Sequence, residues 1–304
     1  MSENKIALRR PKVVPDYIQA VDAMLGVKES TKKNYKRALV LLARYVNGNP
    51  LEYLKGKDPA DISRILDQCI DRVPGIKQST RGTLLFSMRS VVADALQIGL
   101  PKSKVSRVLS QYKPRKSTKY ALSKEQVDKL KNYFEQKYKN PYSLENEKQI
   151  NLRNLILVKL LAGTSQRVQD ILNLTVEEAK KPLLHFKQQK TGNEGFFENP
   201  CIGEIHLYVN LVNLFPNDPL FAVGASRKRL CRTNAYSIIS KAAALVLGVE
   251  NVGPHCFRKY VVNRLLETGH TMGETKQVTL HGSQNMVEYY AENEDKPKNL
   301  KEIL

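Results

Sequence analysis

His255 and Arg258 stand three residues apart at the start of HCFRKYVVNRLLETG, a spacing that puts both on one face of a helix's first turn. Gly253-Pro254 precedes them, so that turn is a helix N-terminus, whose outward N–H groups suit a phosphate. Arg167 follows an apolar helix in LLAGTSQRVQDILNL, and His281 lies in TLHGSQNMVEYYAE with the pair Tyr289-Tyr290. Guanidinium forks are always charged and bind phosphate oxygens two at a time. A tyrosine hydroxyl can replace an ester oxygen, and its phenolate can leave again in the reverse step. Taken singly these features are weak. A lone arginine at a helix start, a lone HxxR and a pair of tyrosines in a polar segment are usually structural or simply exposed.

The elements that must position these groups fall into two halves. Residues 13–111 read as an all-α bundle of four helices. Pro15 opens the first, through about Leu25, and Ser30 caps the second, with Tyr35, Leu39, Leu42 and Val46 at helical spacing. Asp58-Pro59 starts the third, with Ile62, Ile65, Leu66, Cys69 and Val73 inside, and Ser79 starts the fourth, with Leu85, Met88, Val92 and Leu96. Residues 112–120 form a basic connector, and 121–292 an α+β unit. There Ser123 and Gln126 form a capping box, KNPYSLENEKQ reads as a polar insertion, and RNLILVKLLAG as an apolar helix. After Pro182 the alternation in LLHFKQQ, FFENP and GEIHLYV predicts a small antiparallel sheet of two or three strands. Helices return with NAYSIISKAAALVLG and with the HxxR segment. Residues 1–12 and 293–304 are tails. The expected fold is mainly α with a small antiparallel sheet.

The ordered series is far more specific than its parts. Lys190 lies 23 residues after Arg167, His281 lies 26 after His255, and Tyr290 lies 9 after His281. This series resembles the tyrosine recombinase and phage-type integrase family, whose signature is an arginine, a hairpin lysine, an HxxR, a further histidine or tryptophan, and a tyrosine nucleophile. GTSQRVQDILNL is similar to that family's GTGLRxxELLxL, with Asp170 at the acidic position, and QQKTGN is similar to the lysine-bearing hairpin. The four-helix half resembles the family's core-binding domain, so the resemblance spans roughly 13–292. Ser165-Gln166 replaces a frequent Gly-Leu, Thr279 stands where the family often has Leu before Gly-His, and Cys256-Phe257 separates the HxxR ends.

The resemblance implies a site-specific recombinase that cuts and rejoins duplex DNA through a 3′-phosphotyrosine link, without metal, ATP or other cofactor. Arg167 and Arg258 would clamp the scissile phosphate, Lys190 would protonate the leaving 5′ oxygen, and His255 would assist at the tyrosine. His281 would donate to the phosphate, and Asp170 would orient one of these groups from behind. The nucleophile is Tyr290 by spacing, with Tyr289 as the alternative. An integrase of a mobile element fits the departures best. A chromosome-dimer resolvase and an inactive DNA-binding or architectural protein on the same scaffold remain open. The implied partners are duplex DNA with paired recognition sites, a tetramer of the chain itself and accessory DNA-bending proteins. In such a tetramer the amphipathic NLKEIL end would dock on a neighbouring protomer.

Composition agrees with such partners. With 49 basic and 30 acidic side chains the chain carries +19, which favours a polyanion. The stretch 101–120 holds basic side chains and no acid, including Arg115 and Lys116 after Pro114. Lys32, Lys33, Lys36, Arg37, Arg81 and Arg89 in the bundle, and Arg227, Lys228, Arg229 and Arg232 in the second half, are further candidates for duplex phosphates. Four scattered cysteines without a CxxC argue against a disulfide scaffold or zinc finger and for reduced thiols. The polar MSENKIALRRPK start and the lack of a long apolar run predict an intracellular, cytoplasmic protein (or one of the host nucleoid or nucleus, if viral) with no membrane partner.

Overall fold

Capping chemistry sets many of the helix starts. The Asp58 carboxylate accepts the Ala60 N–H at 2.7 Å, and Pro59 fills the first helical position of Pro59–Asp71. Asn49 and Pro50 repeat this signal one element earlier: Asn49 Oδ1 accepts from Leu51 N–H at 3.0 Å and starts the short Pro50–Leu54 helix, which the periodicity alone did not predict. Ser123 and Gln126 close the expected reciprocal box, at 3.2 and 2.9 Å. Ser30 and Ser79, in contrast, are not caps. The helices begin one residue earlier, at Glu29 and Gln78, behind Lys28 and Lys77 in extended conformation, and no side chain caps either start.

The structure, a computed structural model, describes residues 15–103, 105, 108, 120–188, 192–224, 226–283 and 287–288. Lys190, Tyr289 and Tyr290, the connector residues Pro114, Arg115 and Lys116, and the C-terminal tail lie outside the described residues. The chain divides into two compact units, Met1–Pro114 and Arg115–Leu304. The protein is mostly helical with small antiparallel sheets. Among the described residues no helix is long and apolar enough to cross a membrane.

The first unit packs Asp16–Asp22, Glu29–Val46, Pro50–Leu54, Pro59–Asp71 and Gln78–Leu96 around one core, with Leu39, Leu42, Leu66, Ile70, Leu85 and Met88 fully buried. Each of these residues sits on its helix's inward stripe, so burial rather than intrinsic propensity holds the bundle.

The second unit is built on the Glu145–Thr164 helix, whose middle is buried all round: Leu152, Arg153, Asn154, Leu155, Ile156, Leu157 and Val158 lie inside without a break. Lys124–Lys139, Ile202–Val212, Arg232–Leu247 and Pro254–Glu267 belong to the same unit and share its core. The central helix begins inside KNPYSLENEKQ, which the sequence reading treats as an insertion. Glu147 accepts the Leu144 N–H at 3.3 Å and turns that polar stretch into a helix start.

Leu183–Lys187 and Glu194–Glu198 form an antiparallel hairpin in the register Leu184↔Phe197 and Phe186↔Gly195, burying Leu184 and Phe186. GEIHLYV, read as a third strand, is instead part of the Ile202–Val212 helix. Its β-branched and aromatic residues mislead. Ile205, Tyr208 and Val209 are the buried ones, at steps of three and four, so the core selects the helical period over local propensity. A second, two-residue hairpin pairs Ala222–Val223 with Lys228–Arg229.

Candidate active site

Arg258 sits in the second turn of Pro254–Glu267, and the approach to that helix is tightly packed. A Cβ on Gly253 would run into the Tyr236 ring, so glycine lets the chain pass that tyrosine as it stands. Pro254 then fills the first helical position. On this helix His255 is exposed, whereas Arg258 is only 2% exposed. The adjacent Lys259, unmarked by any sequence signal, is equally buried.

Three nitrogens of the Arg258 guanidinium are tied to neutral acceptors. Nη1 donates to the Ser165 carbonyl at 2.6 Å, Nη2 to the Thr279 carbonyl at 2.7 Å, and Nε to His281 Nε2 at 3.0 Å. Carbonyl and imidazole dipoles solvate the cation without cancelling its charge. The third bond also fixes the histidine tautomer. A guanidinium nitrogen can only donate, so His281 Nε2 is the acceptor and the ring proton sits on Nδ1. Thr279 Oγ1 accepts that proton at 2.5 Å and donates its own to the Thr275 carbonyl at 2.6 Å. Burial first, then the charges of Arg258 and Arg167, pull the His281 pKa down to about 3. The imidazole is therefore neutral, and in this geometry it supports the arginine rather than presenting a donor on Nε2.

Local backbone geometry delivers these groups. Leu280 takes a left-handed conformation (φ 52°) just past the Met272–Thr279 helix, and the His281 N–H returns to the Lys276 carbonyl at 3.0 Å, which sets the histidine beside the helix end. Ser165 likewise closes the Glu145–Thr164 helix at φ 55°. This is a position that favours glycine, and it accounts for the glycine usual in the resembling pattern. Where that pattern has Gly-Leu, the Ser165 backbone carbonyl accepts from Arg258 as a glycine's would, its hydroxyl is buried without a partner among the described residues, and Gln166 Oε1 accepts from Gln188 Nε2 at 3.0 Å.

Arg167, half-buried at the N-cap of Val168–Leu172, donates through Nη1 to Gln188 Oε1. Asp170 is buried one turn further on, its amide bonded to the Arg167 carbonyl at 2.9 Å. Gln188, fully buried, is the residue that sequence reasoning missed. A glutamine ending a strand carries no local signal, and only the fold brings it against the arginine. The structure thus unites Arg167, Arg258 and His281, places His255 exposed on the Arg258 helix, and sets Asp170 behind Arg167. Arg258 bonds the neutral imidazole directly and Arg167 acts on it through its charge, and guanidinium groups of this kind attract phosphate.

The candidate phosphate contacts of each unit divide by how they are engaged. In the first unit Lys33 and Arg37 are exposed one turn apart, while Lys36 pairs with Asp22, Lys32 donates to the Asp22 carbonyl at 2.8 Å, and Arg81 lies 3.4 Å from Asp71. Arg89 does different work from that expected. It donates to Ser63 Oγ at 2.8 Å and to the Leu100 and Pro101 carbonyls at 3.1 and 2.5 Å, anchoring the chain where it leaves the bundle. In the second unit Arg227 is held by Asp218 at 2.6 Å and Arg229 donates to the Asn173 carbonyl at 3.4 Å, whereas Lys228 and Arg232 are exposed.

The phage integrase family matches residues 135–296, more than half of the chain and the whole span of this site. Among solved structures, the XerH site-specific recombinase bound to palindromic difH substrate is 17% identical with a TM-score of 0.62, over 91% of this chain and 79% of that one. A lambda integrase tetramer bound to a Holliday junction is 18% identical with a TM-score of 0.59, over 93% and 77%. The Tn1549 transposon integrase in complex with transposon right end DNA is 15% identical with a TM-score of 0.58, over 90% and 92%. At these identities the likeness is one of fold. No curated protein matches the chain. The ordered series of charged residues, the cluster it folds into and the family match lead to one assignment: the chain belongs to the phage integrase family, the tyrosine recombinases.

Proposed function

We propose that this family member is a site-specific DNA recombinase, the integrase of a mobile element, that cuts and rejoins duplex DNA through a tyrosine. The observation that carries the reading is the convergence of Arg167 and Arg258 with the neutral His281 in the family-matched unit. Such a cluster suits a single phosphodiester in which negative charge builds on the non-bridging oxygens.

In the proposed reaction the Tyr290 hydroxyl oxygen bonds to phosphorus, the bond from phosphorus to the 5′ oxygen breaks, and the DNA 3′ end stays on the enzyme as a phosphotyrosine. The phenol proton leaves with help from His255, and the departing 5′ oxygen takes a proton from Lys190. Attack by another strand's 5′ hydroxyl reverses these steps and returns the tyrosine, so no external energy source is consumed. His281 acts as the neutral support of Arg258, and Asp170 stabilises the Arg167 turn from behind. Paired sites on duplex DNA and a tetramer of the chain are the proposed working assembly, by analogy with the lambda integrase tetramer on its junction. The departures Ser165-Gln166 and Thr279 favour a mobile element's enzyme over a resolvase.

The test is covalent capture. Full-length protein is mixed with a pool of duplexes that are nicked so that the freed 5′ end is lost after cleavage. A protein–DNA adduct stable to denaturation and enriched for one sequence is the expected result. Tight binding with no adduct on any duplex would overturn the catalytic reading and leave a DNA-binding protein.

A further inference from the structure

A cavity of about 430 Å³ lies in the second unit, lined by the Glu145–Thr164 helix, the Ile202–Val212 helix and the segment around the Ala222–Val223 strand. None of Arg167, Arg258 and His281 lines it. Gln149, Ile150 and Arg153 reach it from one face of the first helix, at steps of one, three and four. The cations on its wall are Arg153 and Arg227. Arg227 is already neutralised: its Nη1 lies 2.6 Å from the Asp218 carboxylate, and its guanidinium sits 4.4 Å over the Phe215 ring. Arg153 is in a different state. It is only 9% exposed, and its one hydrogen bond among the described residues runs from Nη2 to the neutral amide of Asn154, at 3.2 Å. Its Nε is buried with no partner. Five N–H donors and a full charge are thus served by one neutral acceptor, whereas three hold the buried Arg258. Burying an ion in this way is costly unless an anion joins it. Burial pulls the Arg153 pKa below the usual arginine value, against a smaller opposing effect of Tyr208.

We infer that this cavity is a binding site for a small organic monocarboxylate, whose carboxylate pairs with Arg153 and whose apolar body packs on Ile150, Val212 and Leu214. A planar carboxylate matches a guanidinium edge two bonds at a time. The walls favour an organic acid over inorganic phosphate. Beyond Arg153 they offer no second cation that lacks a carboxylate partner, and Ile150, Val212 and Leu214 supply surface for an apolar body. The volume falls within the range of small-molecule sites. The site is also separate from the phosphate cluster. Arg153 and Ser165 share one helix, and at 1.5 Å per residue they stand about 18 Å apart along it. Nothing in the inference depends on the DNA reaction.

The test titrates full-length, DNA-free protein with para-fluorobenzoate, followed by its fluorine NMR signal. Saturable binding with a dissociation constant below about 1 mM is expected, reversed by unlabelled benzoate and not by an equal concentration of inorganic phosphate. Arg153→Gln removes the charge and keeps an amide beside Asn154, and it should weaken binding by at least about tenfold. Val212→Phe leaves Arg153 in place and fills the cavity. It should weaken binding as much, and it decides the question if the first variant does not fold. No saturation by about 10 mM, or wild-type affinity in either folded variant, would overturn the site. Displacement by an equal concentration of phosphate would overturn the assignment to a carboxylate.

Discussion

His281 accepts from the buried Arg258 and also feels the charge of Arg167, and this has a consequence for pH. Its pKa falls from about 6.5 when unfolded to about 3 in the folded protein, mainly through burial, with Arg258 and Arg167 adding to it. Between these values the unfolded chain binds the proton and the folded one does not, so stability rises with pH across that window and falls as the solution is acidified through it. We predict that the melting temperature of the DNA-free protein drops as pH falls from about 6.5 toward 3, and that His281→Gln flattens that part of the profile. An identical slope in the variant would contradict the neutral, buried assignment. The same residue also shows how far the sequence could be read. The spacing of His281 from His255 was legible, but its proton position follows from a hydrogen bond to a residue 23 positions away in the chain, and no local pattern encodes that.

At the scale of the element, the site depends on where helices and turns end. The Glu145–Thr164 helix must stop so that Ser165 and Arg167 face Arg258 and Gln188, and Gly163 marks the close approach that allows it. A Cβ there would lie 2.8 Å from two atoms of the Pro200 ring, which cannot rotate away. Replacing a helical glycine with alanine ordinarily gains about 1 kcal/mol, whereas overpacking costs about 1–3 kcal/mol. The rigid ring makes the second effect win. Gly163→Ala should lower the melting temperature, and a rise would show that the Pro200 segment yields freely. Capping residues and the hairpin were legible beforehand because Asp58-Pro59, Ser123-Gln126 and the strand alternation are local signals. The Ile202–Val212 helix was not, because the same β-prone residues serve either period until the core chooses one. Gln188 was not legible for a related reason: an amide at a strand end gains meaning only from what the fold sets against it.

At the scale of the whole molecule, the charge of +19 separates into two kinds. Arg167 and Arg258 belong to the proposed active site and should govern rate. Exposed cations such as Lys33 and Arg37 on the bundle should govern affinity, and they differ from Lys32 and Lys36, which already have partners at Asp22. Replacing Lys33 and Arg37 with glutamine should weaken binding across sequences and reduce the slope of log affinity against log salt by about one for each phosphate no longer neutralised. An unchanged slope would remove that helix face from the interface. The proposed reaction requires the chain, a phage integrase family member, to hold DNA covalently for part of its cycle. Tyr290→Phe and Tyr289→Phe, compared for adduct formation on the captured duplex, test that most directly. Tyr290→Phe should bind the duplex as tightly as wild type and form no adduct, while Tyr289→Phe still forms one; an adduct that survives Tyr290→Phe would contradict the assignment of Tyr290 as nucleophile.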